Sequence, residues 1–142
     1  MLTRLLVPMD DSEMAERALE YALDNHPDAE ITVLHVVGVP SMMMGEAVAL
    51  ALEEDFEEAA GERAEPVFER AREVAADRDR EIDTVVAIGH PGRQIVDRAD
   101  GYDAVVLGKH GKHSDGATRR FLVGNVAETV FRRSPVPVTA VR

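Results

Sequence analysis

The stretch Leu107–Val126, LGKHGKHSDGATRRFLVGNV, is the part of the chain whose residue types could do chemistry. It holds Gly108, Gly111, Gly116 and Gly124, both lysines of the chain (Lys109 and Lys112), Arg119 and Arg120, against one acid, Asp115. Glycines let backbone N–H groups approach a ligand closely and tolerate positive φ. The Gly124-Asn125 pair opens a segment of helical pattern, and a helix start offers free N–H groups and a dipole that favours an anion. Together these features suit a phosphate group. The alternative is a solvated surface loop that is merely basic. The spacing is neither a Walker P-loop, since GxxxxGK[ST] is missing, nor a Rossmann fingerprint, since no GxGxxG follows the first strand.

The rest of the chain makes this basic loop stand out. Over 142 residues, 27 Asp and Glu oppose 16 Lys and Arg, for a formal charge of −11. Such a surface repels nucleic acid and anionic membranes. Abundant acids with scarce lysine suit high salt, where charges are screened, so a halophilic setting is expected. The chain has no cysteine, which excludes disulfides and thiol chemistry. No apolar run approaches the length of a membrane span, and MLTRLLVPMDD has no signal-peptide pattern, so a cytoplasmic protein is expected.

Elements that must position the loop follow from periodicity. Leu5-Leu6-Val7 reads as a strand ended by Pro8, then Asp10, Asp11 and Ser12 as a helix start, with Ala15, Ala18, Leu19, Ala22 and Leu23 at helical spacing. Ile31–Val37 is a second, almost wholly apolar strand. Residues 46–79 are helical in period, with Gly61 and Pro66 predicting two helices or one kinked helix. Ile82–Ile88 is a third strand, Pro91–Ala99 a short helix, Ala104–Leu107 a fourth strand, Val126–Arg133 a helix and Val136–Val141 a last strand. Strands apolar on both faces, alternating with helices, predict an α/β fold: an open, twisted, five-stranded parallel sheet with helices on both faces, Rossmann-like. In such a sheet ligands bind beyond the carboxyl ends of the strands, where the strand order reverses.

Other constellations carry less. Asp10-Asp11 after a first strand suggests a receiver domain, but Gly108 stands where a phosphoacceptor aspartate would be needed. His110, His113 and Asp115 are ligand types without a further fixed ligand, so a metal site is undetermined. His35 and His90 are expected to be structural, and Ser12 a helix cap. Met42–Met44 suit adaptable packing, or a soft ligand surface beside the second strand. Glu53–Glu58 reads as a solvated helix face.

With GKHG, the later Gly124-Asn125, the N-terminal LLVPMDDSEMAERAL, the strand VLHVV, the segment GHPGRQIVDRADGYDAVVLG and the ending SPVPVTAVR, the chain resembles the universal stress protein family over essentially its whole length. The resemblance implies an adenine-nucleotide-hydrolase-like fold over residues 1–142 as one nucleotide-binding domain, and ATP, with Mg2+, as ligand. It implies that Pro8, Met9 and Asp10 border ribose and adenine, and that Val36 offers its backbone to the adenine. It further implies that Leu107, Gly108, Lys109 and Gly111 wrap ribose and phosphates, and that Gly124, Asn125 and Val126 hold phosphates, with Arg120 adding a contact. Two departures from the family pattern stand out: twelve residues instead of nine separate Gly111 from Gly124, and Asn125 replaces a hydroxyl residue. Asn retains a side-chain donor.

The expected function is a nucleotide-dependent stress-response signalling module, in which binding orders the 109–123 loop and changes a surface seen by a protein partner of unspecified identity. A dimeric interaction module without nucleotide is the alternative. No dedicated general base is evident, so at most slow ATP hydrolysis is expected. Pro135 and Pro137 predict an edge strand. On that reading Thr139 and Val141 turn their N–H groups outward, and a homodimer forms by antiparallel pairing along Val138–Val141.

Overall fold

The computed structural model describes residues 3–38, 53–109 and 124–142. In chain order the elements are β1 (Arg4–Pro8), α1 (Glu13–Asn25), β2 (Glu30–Val37), α2 (Glu53–Ala76), β3 (Asp83–Ile88), α3 (Pro91–Ala99), β4 (Ala104–Gly108), α4 (Gly124–Arg133) and β5 (Val138–Val141). The five strands form one parallel sheet in the order β3-β2-β1-β4-β5. The expected α/β class and five-stranded parallel sheet are therefore present.

Alternation along each strand splits the core in two. Leu5, Val7, Ile31 and Val33 point to one face and pack with Leu19, Phe68 and Val74 of α1 and α2. Leu6, Leu34, Val105 and Leu107 point to the other and pack with Ile95 and Val130 of α3 and α4. Both faces are covered, which is why the strands read as unbroken apolar runs. Each fully buried Leu, Ile or Val contributes about 1.5–3 kcal/mol relative to exposure, so a core this poor in aromatics is sufficient.

Helix α2 runs through Pro66 as one element, although the ring removes one ladder donor. The buried Ala60, Ala64, Val67, Phe68 and Ala71 hold both sides of the proline against the sheet and α1. The helix stops at Ala76, earlier than the periodicity suggests. Asp79 takes a left-handed φ of 54°, and Asp79 N–H and Arg80 N–H return to Ala76 O (3.0 Å) and Ala75 O (2.9 Å), a Schellman closure. Arg80 then donates to Leu23 O and Ala29 O at 2.8 and 2.7 Å, tying the end of α2 to the end of α1.

Strand β5 is at the sheet edge, as the two prolines led us to expect. Their orientation, however, is the reverse of the expected one. Val105 N–H donates to Pro137 O (2.9 Å) and Lys109 N–H to Val141 O (2.8 Å). Because backbone groups alternate sides along a strand, residues 137, 139 and 141 face β4, and Val138 and Ala140 face outward. Thr139 and Val141 are thus committed to the inner ladder. Pro137 is tolerated because it precedes the first paired residue of the strand.

Candidate functional site

The strand order reverses at β1: the chain goes β1, β2, β3 to one side, then returns to β4 and β5 on the other. The crevice between the carboxyl ends of β1 and β4 is therefore the place where a parallel sheet accepts a ligand. Local chemistry opens it. Along β1, Met9 N–H donates to Leu34 O of β2 at 2.8 Å, and Arg4 O accepts from Asp103 N–H near β4. By alternation the backbone of Pro8 faces β4. Proline has no N–H, so the donor that would meet Val106 O is missing, and the β1–β4 register stops at Leu6↔Val105 while β1–β2 continues to Pro8↔Leu34.

Asp10 stands at this opening and is 4% exposed. Its Oδ1 accepts the Ser12 N–H at 2.8 Å, and Ser12 in turn caps α1 by accepting the Ala15 N–H on its Oγ at 3.1 Å. Its Oδ2 is buried with no hydrogen-bond partner among the described residues. A buried carboxyl oxygen left unpaired is costly, on the order of 1–3 kcal/mol. As a carboxylate oxygen it suits a hydroxyl donor, an amino donor or a cation, and not a phosphate oxygen. The acids Asp10, Asp11, Glu13 and Glu16 at the start of α1 likewise disfavour an anion there.

The other predicted residues fall around the opening in three groups. Leu107 and Gly108 end β4, next to β1, and Lys109 follows; Leu107 is fully buried in the α3/α4 core, leaving only its backbone available. Gly108 has a packing reason for its missing side chain: a Cβ there would fall on the carbonyl of Met14 and within 3.0 Å of Ala15 N, so α1 starts directly against it. Met9 and Val36 also bury their side chains. The Met9 N–H and C=O are engaged with Leu34 O and the His35 ring, so of the two only Val36 has backbone groups to offer. Val36 lies two residues beyond Leu34, whose carbonyl takes the last β1 donor. Its N–H and C=O consequently face the β1 side, past the end of the β1–β2 register.

The third group is the start of α4. Helix α4 is described from Gly124 onward, and Val126 is buried in the α3/α4 core. It leads from the end of β4 back to the start of β5, so its N-terminus is at the carboxyl edge of the sheet. Gly111, Arg120 and the His110, His113 and Asp115 set lie outside the described residues, as do Met42–Met44 and the Asn125 side chain. Among the described residues no group of three or more His, Asp or Glu could hold a metal ion, and no helix is long and apolar enough to cross a membrane. His35 is structural, as expected: its Nδ1 bonds Met9 O at 2.8 Å in a buried setting, although the partner could not be read from sequence. A lone histidine inside VLHVV was the available signal. Ser12 is a cap as expected, whereas His90, at the N-cap of α3, makes no side-chain cap bond.

A sequence profile of the universal stress protein family matches residues 1–142. The chain belongs to this family. Universal stress protein YxiE of Bacillus subtilis is 29% identical over 153 aligned positions, with all of both chains covered. The universal stress protein UspA of Lactobacillus plantarum superposes with a TM-score of 0.74 at 28% identity, covering 99% of this chain and 98% of that one. Family members of known structure that share the fold at lower identity include one from Archaeoglobus fulgidus in complex with dAMP (20% identical, TM-score 0.63, covering all of this chain and 98% of that one) and one in complex with cAMP (21%, TM-score 0.64, covering 99% and 97%).

Proposed function

We propose that residues 1–142 act as one nucleotide-binding domain that takes ATP, with Mg2+, in the β1–β4 crevice and serves as a nucleotide-dependent module of a stress response. The observation that carries this reading is the buried, unpartnered Oδ2 of Asp10 at the topological switch point. A ribose hydroxyl supplies the donor that it lacks. The N–H and C=O of Val36 match the acceptor N1 and donor N6 of an adenine edge. Phosphates then extend away from the acidic start of α1 toward Gly108, Lys109 and the N-terminus of α4 at Gly124, Asn125 and Val126, where free N–H groups favour them. Gly111 and Arg120, between β4 and α4 in sequence, complete this reading. The family members solved with dAMP and cAMP support an adenine nucleotide as the ligand class. We further propose a homodimer paired through the outer edge of β5, carried by Val138 and Ala140.

Calorimetric titration of the ligand-stripped protein with Mg-ATP, at low and molar salt, tests the reading. Asp10→Asn retains an acceptor for Ser12 N–H but loses the charge-assisted bond to the hydroxyl. We expect affinity to fall by roughly 1.5–3 kcal/mol, about ten- to a hundredfold. Gly124→Asp should abolish binding by setting a carboxylate among the phosphates. A wild type that binds no adenine nucleotide at either salt would reject the proposal in favour of a nucleotide-free interaction module.

A further inference from the structure

We infer that His35 is a positioning residue that keeps the Val36 backbone available to a ligand. The inference rests on the nucleotide reading above and concerns a residue that touches no ligand itself. In a parallel pair, the bond following Met9 N–H to Leu34 O would be Val36 N–H to Met9 O. That acceptor is taken instead by the His35 ring, whose Nδ1 lies 2.8 Å from it. A carbonyl only accepts, so Nδ1 carries the proton in this contact. Met9 is 5% exposed, and a buried carbonyl needs a donor. His35 supplies it from the α1/α2 face of the sheet, where its side chain and that of Met9 are neighbours, and the β1–β2 register stops at Pro8↔Leu34. The consequence is a donor and an acceptor of one residue left facing the crevice beyond Asp10.

Removing the ring reverses this. In His35→Leu the volume is filled by an apolar side chain, the Met9 carbonyl loses its donor, and Val36 N–H is the nearest replacement. The ladder then extends by one bond and withdraws the donor that reads the base. His35→Gln keeps an N–H able to reach the same carbonyl and serves as the conservative control.

Two measurements on the full chain decide the matter. The first is the through-hydrogen-bond scalar coupling between Val36 ¹⁵N and Met9 ¹³C′ in the ligand-free protein. It should be absent in wild type and His35→Gln and present in His35→Leu. The second is calorimetric affinity for ATP and GTP. In His35→Leu, ATP binding should weaken about tenfold, roughly one lost hydrogen bond, with the ATP-over-GTP preference narrowing, while His35→Gln stays close to wild type. A Val36–Met9 coupling already present in wild type would overturn the inference. So would a His35→Leu protein that keeps both its ATP affinity and its base preference. If wild type binds no adenine nucleotide, the functional reading falls, and the coupling alone still decides whether His35 holds this edge open.

Discussion

At the scale of single residues, the proposed site depends on side chains that are absent or constrained as much as on those that would reach a ligand. Pro8 removes one donor and thereby opens the sheet between β1 and β4. Asp10 holds one oxygen on the Ser12 N–H and keeps the other buried without a partner. That arrangement opposes stability in the empty protein, so Asp10→Asn is expected to leave the apo melting temperature unchanged or raised while it weakens ATP. Gly108 shows the opposite coupling. A methyl group there meets the backbone of Met14 and Ala15, which cannot move aside as a side-chain tip would. Gly108→Ala should destabilise by about 1–3 kcal/mol as α1 is pushed off the end of β4. Thermal unfolding would show a Tm several degrees lower, and an unchanged Tm would remove the packing explanation. Glycine reading from sequence assigned this position to nucleotide approach; the close passage of α1 was not legible, because it depends on how a helix and a strand remote in sequence cross.

At the scale of elements, the opposite end of the sheet is fastened by charge. Asp103, just before β4, accepts from Thr3 Oγ1, Thr3 N–H and Arg4 N–H at 2.8, 2.9 and 2.8 Å, joining the starts of β1 and β4. The Thr3 hydroxyl bond, then the Thr3 and Arg4 backbone bonds, hold its carboxyl below the usual range. A carboxyl whose folded pKa is depressed stabilises the fold above its unfolded pKa, about 3.9, and loses that contribution as pH falls through the folded value. Wild type and Asp103→Asn, unfolded in urea at a series of pH values, should therefore differ by a constant amount above about pH 5, begin to converge as pH falls below about 4, and meet only below the folded pKa. A gap that persists undiminished in strong acid would mean that Asp103 acts by shape alone. At the helical ends, Arg78 pairs with Asp24 (2.7 Å) and Glu20 (3.2 Å) while Arg80 caps α1, so α1 and α2 are stapled where both stop. The periodicity of 67–75 located α2 well, but its end at Ala76 was set by the left-handed turn at Asp79, which helical spacing does not encode.

For the whole molecule, β3 and β5 are the two edges of the sheet, and β5 is the edge proposed for pairing. Its outward groups belong to Val138 and Ala140, whereas Thr139 faces β4. The two positions should therefore respond oppositely to proline. Ala140→Pro removes an outward donor and is expected to yield a folded monomer. Thr139→Pro strikes the β4–β5 ladder and should destabilise the fold, by about 3 kcal/mol or more if the loss resembles that of proline in a regular element. Sedimentation velocity with circular dichroism separates the cases. A wild type that is monomeric at tens of micromolar, or an Ala140→Pro dimer, would reject pairing through this edge.

The amino-acid sequence by itself determined the class of fold. Apolar strands alternating with amphipathic helices admit little besides a covered parallel sheet, and periodicity is a local property that survives without coordinates. It also indicated that Gly108 lies at the carboxyl edge of the sheet, because the end of a strand in such a sheet has only that edge to occupy; Asp10 entered the proposed site through the family resemblance. Strand order, and with it the crevice at β1, came only from the tertiary structure. So did the side of β5 that faces β4, the buried oxygen of Asp10 and the His35–Met9 bond. The physical reason is that each depends on how segments remote in sequence pack or pair: three are fixed by hydrogen bonds between strands, the Asp10 oxygen by burial, and a register shift of one residue, invisible in a run of valines, would reverse which backbone groups are paired and which are left free.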